Sequence, residues 1–433
     1  MSTITSAGFD MGIYGTLMNS PLATPARWVK KRLLENYYNA EVLNRLPEKI
    51  RPLKARFSNQ EPARINFLIP EISFGSFYGG YIAKFQLAKK LAQAGCKVRM
   101  ITVDRCQRDE PAWQALISRY QGLEDVLELV EVQTAFNRSQ ELACSPDDRV
   151  IATTWWTAYI AHQLCQDGQL ADFMYLIQEF EPFTFAMGSY YAAAEYSYRF
   201  PHKAMFSTGL LMEYFAQNRV GVFATDPVGE HGFFENAVLP LHPDEPALRS
   251  GRPRKLLFYA RPEAHASRNM FETAYVALCT AIEQGIFDSD WLFYGIGTSH
   301  GDIPLPQGNV LKMLGKVGLK EYAQLLQQHD VGLALMYTPH PSLLPLEMAA
   351  CGQIVVSCEC LNKTAEKMAA ISGNILAPAA TIAGVTEGLK NAVLRSQDIE
   401  SRLQAARLHW PTAWDDTFDA EKVAEIYRLL QLA

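Results

Sequence analysis

Residues 336–356 read MYTPHPSLLPLEMAACGQIVV. An apolar run, a proline-bearing turn, a short helical stretch and a second apolar run follow one another there. Pro341 and Pro345 lack backbone donors and suit a helix start, while Gly352 suits its end. The amides of Ser342, Leu343 and Leu344 are then free at that start. Free N–H groups and the helix dipole favour an anion such as a diphosphate. Glu347 falls in the first turn. A carboxylate there either serves the cap region or accepts from a sugar hydroxyl, a charged hydrogen bond of about 1.5–3 kcal/mol. Spacing alone leaves both readings open.

Other chemistry-bearing patterns point elsewhere and carry less. Asp288-Ser289-Asp290 has the form of a metal motif but precedes an apolar run instead of following one, so it reads as a turn. Gly295-Ile296-Gly297 lacks the third glycine of a dinucleotide fingerprint. No H-x-x-x-H or H-E-x-x-H occurs, so no metal site is expected. Cys358 and Cys360 are spaced C-x-C, and the eight cysteines are scattered, which fits reduced thiols in a cytoplasm. His340 reads as structural or donor-lining, and Trp155-Trp156 as core or sugar-stacking.

The elements that must position these groups follow from length and pattern. A chain of 433 residues suits two domains of about 150–200 residues. Apolar residues at 48% and charged residues at 20% exclude general disorder. A net charge of −6 argues against a nucleic-acid binder. No apolar run reaches the length of about 18 residues that a membrane span needs, and residues 1–10 do not resemble a secretory signal. Between Arg27 and Arg56 stand nine basic and three acidic residues, so this stretch is +6 and the remainder −12. With Trp28, Tyr37 and Tyr38 it reads as an amphipathic helix on the body, or as a surface for anionic lipid.

Apolar runs at 65–69, 98–103, 150–154 and 174–177 alternate with helical spacing such as Ile82, Phe85, Ala88 and Leu91. A proline-rich stretch at 240–253 reads as a linker. A second series follows at 255–259, 291–294, 331–336 and 354–357, with a helical stripe at Leu319, Tyr322, Leu325 and Leu326. Strand–helix alternation implies parallel sheets with ligands beyond their carboxyl ends. The expected division is a basic extension over 1–60, an acceptor-side domain over 61–245, a nucleotide-sugar domain over 246–408 and a return helix over 409–433.

The segment PSLLPLEMAACGQIVV resembles the nucleotide-sugar signature of GT-B glycosyltransferases, chiefly the retaining family four. There the pattern is close to E-G-F-G-L-P-x-L-E-A-M-A-C-G. Glu347 matches its second glutamate, which in the family holds the nucleotide ribose, and Pro339 stands at the first. LIPEISFGSFYGG, YLIQEFEPFTFAMGSYYAAAEYSY, FSTGLL, LFYARPEAHASRN and LGKVGLKEYAQLL resemble the dTDP-L-rhamnose-dependent rhamnosyltransferases of the WsaF type, and the likeness runs over about 64–430.

That resemblance implies an α/β GT-B fold: two Rossmann-like domains with parallel sheets facing a cleft. It implies that Arg261 and Lys316 grip the donor diphosphate without a metal. Gly79 and Gly80 then allow backbone amides close to the donor, and Gln178 faces it. Arg268 falls where many relatives carry lysine. Glu179 and Glu181 read as acceptor-facing or as solvated loop acids; Glu181 is taken as catalytic with Arg261 and Lys316. The expected partners are a nucleotide-sugar donor, dTDP-L-rhamnose, and a glycan or lipid-linked acceptor, with no nucleic acid. Location is expected in the cytoplasm, with peripheral contact at the inner membrane through residues 24–56. Two further readings stay open: a non-catalytic GT-B subunit, kept by Pro339, and a nucleotide-sugar epimerase.

Overall fold

The structure, a computed structural model, describes residues 43–73, 79–106, 108–298, 301–315 and 317–432. Residues 1–51 and 52–433 are separate compact units. In the first unit, the helix Leu43–Lys49 is described and buries no residue. Of the stretch 27–56 expected to form an amphipathic helix, residues 27–42, with Trp28, Tyr37 and Tyr38, lie outside the described residues.

The second unit is built on two seven-stranded sheets. Its first strands are β1 (Lys54–Phe57), β2 (Ile65–Ile69), β3 (Val98–Thr102), β4 (Glu131–Thr134), β5 (Glu141–Cys144), β6 (Arg149–Ala152), β7 (Met174–Ile177), β8 (Lys203–Ser207) and β9 (His231–Phe234). Strands β2 to β4 and β6 to β9 form the first sheet in the order β4-β3-β2-β6-β7-β8-β9, with every pair parallel. Strand β1 pairs with β5 in a separate parallel ribbon. Residues 54–57, placed by sequence in the basic extension, therefore belong to this lobe. Their side chains alternate between exposed and half-buried, so no apolar run marked the strand.

The second sheet uses β10 (Arg254–Tyr259), β11 (Trp291–Ile296), β12 (Ile303–Pro304), β13 (Val310–Met313), β14 (Val331–Leu333), β15 (Ile354–Val356) and β16 (Ile375–Leu376). The order is β12-β13-β11-β10-β14-β15-β16, and only β12 runs antiparallel. Strands such as β2 and β3 are buried along their whole length. That is the signature of a parallel sheet covered by helices on both faces. Each sheet accordingly has two apolar layers. The last helix, Ala420–Leu429, packs Ile426 and Leu429 into a layer of the first sheet.

Both sheets reverse their winding once, between β2 and β6 in the first and between β10 and β14 in the second. At the amino ends of these central strands the two lobes share one device. Asp148 precedes β6 and accepts the Arg64 amide at 2.8 Å; Asp330 precedes β14 and accepts the Lys255 amide at 3.0 Å. A buried arginine compensates each carboxylate, Arg99 at 3.8 Å and Arg402 at 3.1 Å. The sequence shows no repeat, because the shared feature is a position in the topology and not a run of residues.

Among the described residues the chain passes between the lobes twice. The outgoing chain at Asn236 and Val238 meets the returning chain at Trp410 and Pro411, through hydrogen bonds of 2.8 and 3.1 Å. Asn362 of the second lobe also donates to the Leu210 carbonyl of the first at 2.8 Å, and Lys367 pairs with Glu213. The linker expected at 240–253 contains a short helix, Glu245–Arg249, capped by Asp244.

Candidate active site

In doubly wound sheets the reversal point leaves a crevice at the carboxyl ends of the strands. On the second sheet, β10 runs out into Arg261 and β14 into the loop 336–343. Arg261 is held on three sides. Its Nε donates to Glu263 Oε2 at 2.9 Å, one Nη to Tyr259 Oη at 3.1 Å and the other to His265 Nε2 at 3.0 Å. A guanidinium has no acceptor, so His265 Nε2 accepts. Gly297, just past β11, has φ +109°, and a Cβ there would lie 2.7 Å from Arg261 Cδ and 2.9 Å from the Tyr259 ring. Only glycine fits that position with Arg261 in this pose.

The helix Leu344–Ala350 forms as its sequence predicts. Pro345 sits in its first turn, and Gly352 at φ +79° closes its end. Glu347 lies in the first turn and is partly accessible. Its Oε2 accepts from Tyr322 Oη at 2.5 Å, and the Leu239 amide approaches Oε1 at 3.4 Å. Burial pushes this carboxyl above the usual range, opposed by those two hydrogen bonds. Tyr322 and Tyr259 lie in one packed layer with Leu343 and Leu344. Arg261, Tyr259, Tyr322 and Glu347 thus form one run of neighbours, Arg261 on Tyr259, Tyr259 near Tyr322 and Tyr322 on Glu347.

The free amides expected at the helix start need one correction. The Ser342 N–H is not free: it donates to His340 Nδ1 at 3.0 Å, with Ser342 itself at φ +66°. The turn needed to bring the chain round before Pro345 folds the amide back onto the imidazole. His340 is buried, and its pKa is pushed down to about 3 by burial and by the nearby Lys363 and Arg268 charges. The ring is neutral near pH 7, as an accepting Nδ1 requires. Lys316 lies outside the described residues.

On the first sheet, Gly79 is the N-cap residue of helix Gly80–Gln93. Gln178, just past β7, donates its Nε2 to the Gly80 carbonyl at 2.9 Å, and a Cβ on Gly80 would lie 2.6 Å from Gln178 Oε1. Gly80 therefore makes room for Gln178, binding the end of β7 to the helix start. Glu179 and Glu181 are not solvated loop acids. Glu181 accepts from Tyr175 Oη at 3.2 Å and from the Trp155 amide at the start of helix Trp155–Gly168. Burial raises its pKa to about 7, against the attraction of Lys84. Lys84 is 3% exposed, and burial lowers its pKa to about 8, against the attraction of Glu181. Glu179 faces Arg268 across the cleft at 3.9 Å.

Sequence reasoning missed Lys84, Tyr322 and Lys363. Lys84 had a signal, since it occupies a core-facing helical position in line with Leu87, Ala88 and Leu91, all fully buried. Tyr322 was visible only as one apolar member of a stripe. Nothing around Lys363 distinguishes it from a surface lysine, yet it is fully buried and donates to the Met336 carbonyl. Trp155 is core, 1% exposed and ringed edge-on by Trp156, Tyr159, Phe185 and Tyr190.

The chain has relatives of known kind. Residues 64–208 match the family described as WsaF, N-terminal domain, and residues 254–390 match WsaF, C-terminal domain. It is 30% identical over 298 residues to the O-antigen biosynthesis protein RfbC of Myxococcus xanthus. That match takes in 65% of this chain and spans about a fifth, 21%, of that longer relative. Among solved structures, Anabaena HepE in complex with UDP and glucose superposes with a TM-score of 0.56 at 14% identity, over 86% of this chain and 100% of the other. Sucrose-phosphate synthase from Thermosynechococcus elongatus gives 0.53 at 12% identity, over 86% and 99%. At such identities the structural likeness speaks for the fold, which is GT-B. Since the two family matches follow one another through the two sheet lobes, the chain belongs to the WsaF family of GT-B glycosyltransferases.

Proposed function

We propose that this protein transfers L-rhamnose from dTDP-L-rhamnose to a bacterial surface glycan or its lipid-linked precursor, without a divalent ion. One observation carries the reading. The Arg261 cluster and the acidic end of β7 lie at the carboxyl ends of the two sheets, and the Glu179–Arg268 ion pair at 3.9 Å brings those ends together. The donor lies against the second sheet. Glu347 takes a hydroxyl of the nucleoside sugar, and Arg261 with Lys316 takes the diphosphate. The bond from sugar C1 to the phosphate oxygen breaks, and its electron pair goes to the diphosphate, whose growing charge the two cations neutralise. The acceptor hydroxyl bonds to C1 and gives its proton to Glu181. The O-antigen role named for the Myxococcus relative and the UDP and glucose named for HepE support a sugar nucleotide and a surface glycan.

Thermal unfolding with dTDP, UDP and GDP sugars tests the donor. A ligand at about 100 times its Kd stabilises by about 2.7 kcal/mol, so dTDP-L-rhamnose should raise the midpoint most. A panel that leaves the midpoint unmoved sinks the reading. Pro339, in place of a pattern glutamate, favours the non-catalytic alternative; donor binding without release of dTDP in the presence of acceptor glycans would establish it. Donor incubated alone and converted to an epimer would establish the epimerase instead.

We further propose a cytoplasmic protein held at the inner membrane by the basic segment 24–56. Removing residues 1–51, the separate first unit, should reduce co-sedimentation with anionic vesicles severalfold at low salt while leaving strand β1 in place. Equal sedimentation of the truncated and full chains would remove this part.

A further inference from the structure

Glu179 belongs to the first sheet, yet its carboxylate meets groups of the second. Oε2 lies 3.9 Å from Arg268 Nε, and Thr338, whose hydroxyl donates to the His340 carbonyl at 3.4 Å, stands beside the carboxylate. Lys363 adds its charge from the buried side. On its own side, Oε1 accepts the Phe180 amide at 3.0 Å, and the Glu179 carbonyl accepts from Tyr198 Oη at 3.2 Å, which fixes the residue from behind. The contact with Arg268 is an ion pair and too long for a hydrogen bond. Arg268 Nε is buried and has no hydrogen-bond partner among the described residues. A buried guanidinium N–H without an acceptor is unusual, because desolvating it gains nothing. Arg268 lies beyond β10, in the segment Ala264–Asn269, and Thr338 lies in the loop beyond β14. Both therefore stand at the rim that Arg261 occupies.

We propose that Glu179 is a resident counter-ion, which neutralises Arg268 until a nucleoside diphosphate enters and displaces it. The inference rests on the reading of the cleft as a donor site and adds to it a competitor built into the opposite lobe. Two anions then contend for one cation. An incoming diphosphate completes the open Arg268 N–H and frees the first-sheet carboxylate. Donor entry is thereby coupled to the contact between the lobes. A simple clasp between lobes would act with the opposite sign: breaking it would loosen the cleft and weaken anion binding.

Calorimetric titration of the full chain with dTDP and UDP separates these. Both probes lack the transferred sugar, so any contact of Glu179 with it does not enter. Glu179→Gln should bind the nucleoside diphosphate about tenfold more tightly than wild type at low salt, with a smaller gain at high salt as screening sets in. Arg268→Gln should bind it at least about fivefold more weakly while leaving thymidine or uridine unchanged, since the charge lost faces phosphate. In the Arg268→Gln background, Glu179→Gln should bring no further gain. Unchanged or weaker binding by Glu179→Gln overturns the proposal. So does unaltered diphosphate binding by Arg268→Gln, which needs no folded Glu179 variant. If the wild-type chain binds neither nucleotide, the donor reading itself has failed and the counter-ion falls with it.

Discussion

Arg261→Met should turn over the sugar nucleotide about 10²–10³-fold more slowly than wild type, with donor affinity reduced far less. The asymmetry follows from when the charge appears. A bound sugar nucleotide already carries negative charge on its diphosphate, but more arrives as the bond to C1 breaks, and a fixed guanidinium responds most to that late charge. Arg261 is fixed unusually well. Glu263, Tyr259 and His265 take its three nitrogens, and Gly297 leaves space for its chain. Such preorganisation costs nothing at the moment of reaction. The fold should survive the change, because the Arg261 and Glu263 side chains are 22% and 26% exposed and pairs so placed contribute only about 0–1 kcal/mol. Arg261→Lys should recover part of the rate, since it restores the charge but not the three-way fork. Steady-state rates and melting curves on the same preparations check both points. Turnover within about threefold of wild type would remove Arg261 from the chemistry.

The second large effect is expected at Glu181. Glu181→Gln should lower transfer by about 10²-fold or more, the usual range for losing a general base. The wild-type rate should fall as pH drops through about 7, where Glu181 takes up its proton. Four groups face this carboxyl. The Trp155 amide and Tyr175 Oη donate to it, Lys84 attracts it, and Glu179 repels it. Burial outweighs the Trp155 amide, the Tyr175 hydroxyl and the Lys84 charge together and holds the carboxyl above its ordinary range. Stability should vary with pH in the opposite sense to the rate. With a pKa raised from an ordinary 4.5 to about 7, the folded chain holds a proton that the unfolded chain loses between those values. Folding stability therefore declines as pH rises through that window, and the penalty is complete above it. Glu181→Gln should melt ~1–3 °C higher than wild type at pH 8 and equal to it near pH 4.5. An active variant that retains the acid limb would exclude Glu181 as the base. A variant that melts lower at pH 8 would refute the desolvation account.

The elements of the second lobe were largely legible in the chain itself. PSLLPLEMAACG carries its own instructions: proline in the first turn, a carboxylate beside it and glycine at the end. The structure turns these into the helix Leu344–Ala350 with Gly352 behind it. Buried strands such as β2 and β7 were also visible, because a parallel strand covered on both faces must be apolar throughout. Edge strands were not. EVQT in β4 and HGFF in β9 face solvent on one side and need no apolar run. Strand β8, KAMFS, was hidden by Lys203, whose amine reaches out of the buried strand to Glu230.

Local sequence determined which segments become strands and helices, where Glu347 falls in its helix, and that two parallel sheets follow one another. Those properties depend on residues within a turn or two of each other. Tertiary structure alone decided which groups influence one another: that buried Lys84 lies within electrostatic reach of Glu181, that Tyr322 holds Glu347, and that Glu179 crosses from one sheet to Arg268 on the other. The ionisation of each follows from desolvation and from neighbours that can lie far off in the chain, as Lys363 does for Glu179. An electrostatic environment is a property of enclosed space, and spacing along a chain does not specify it.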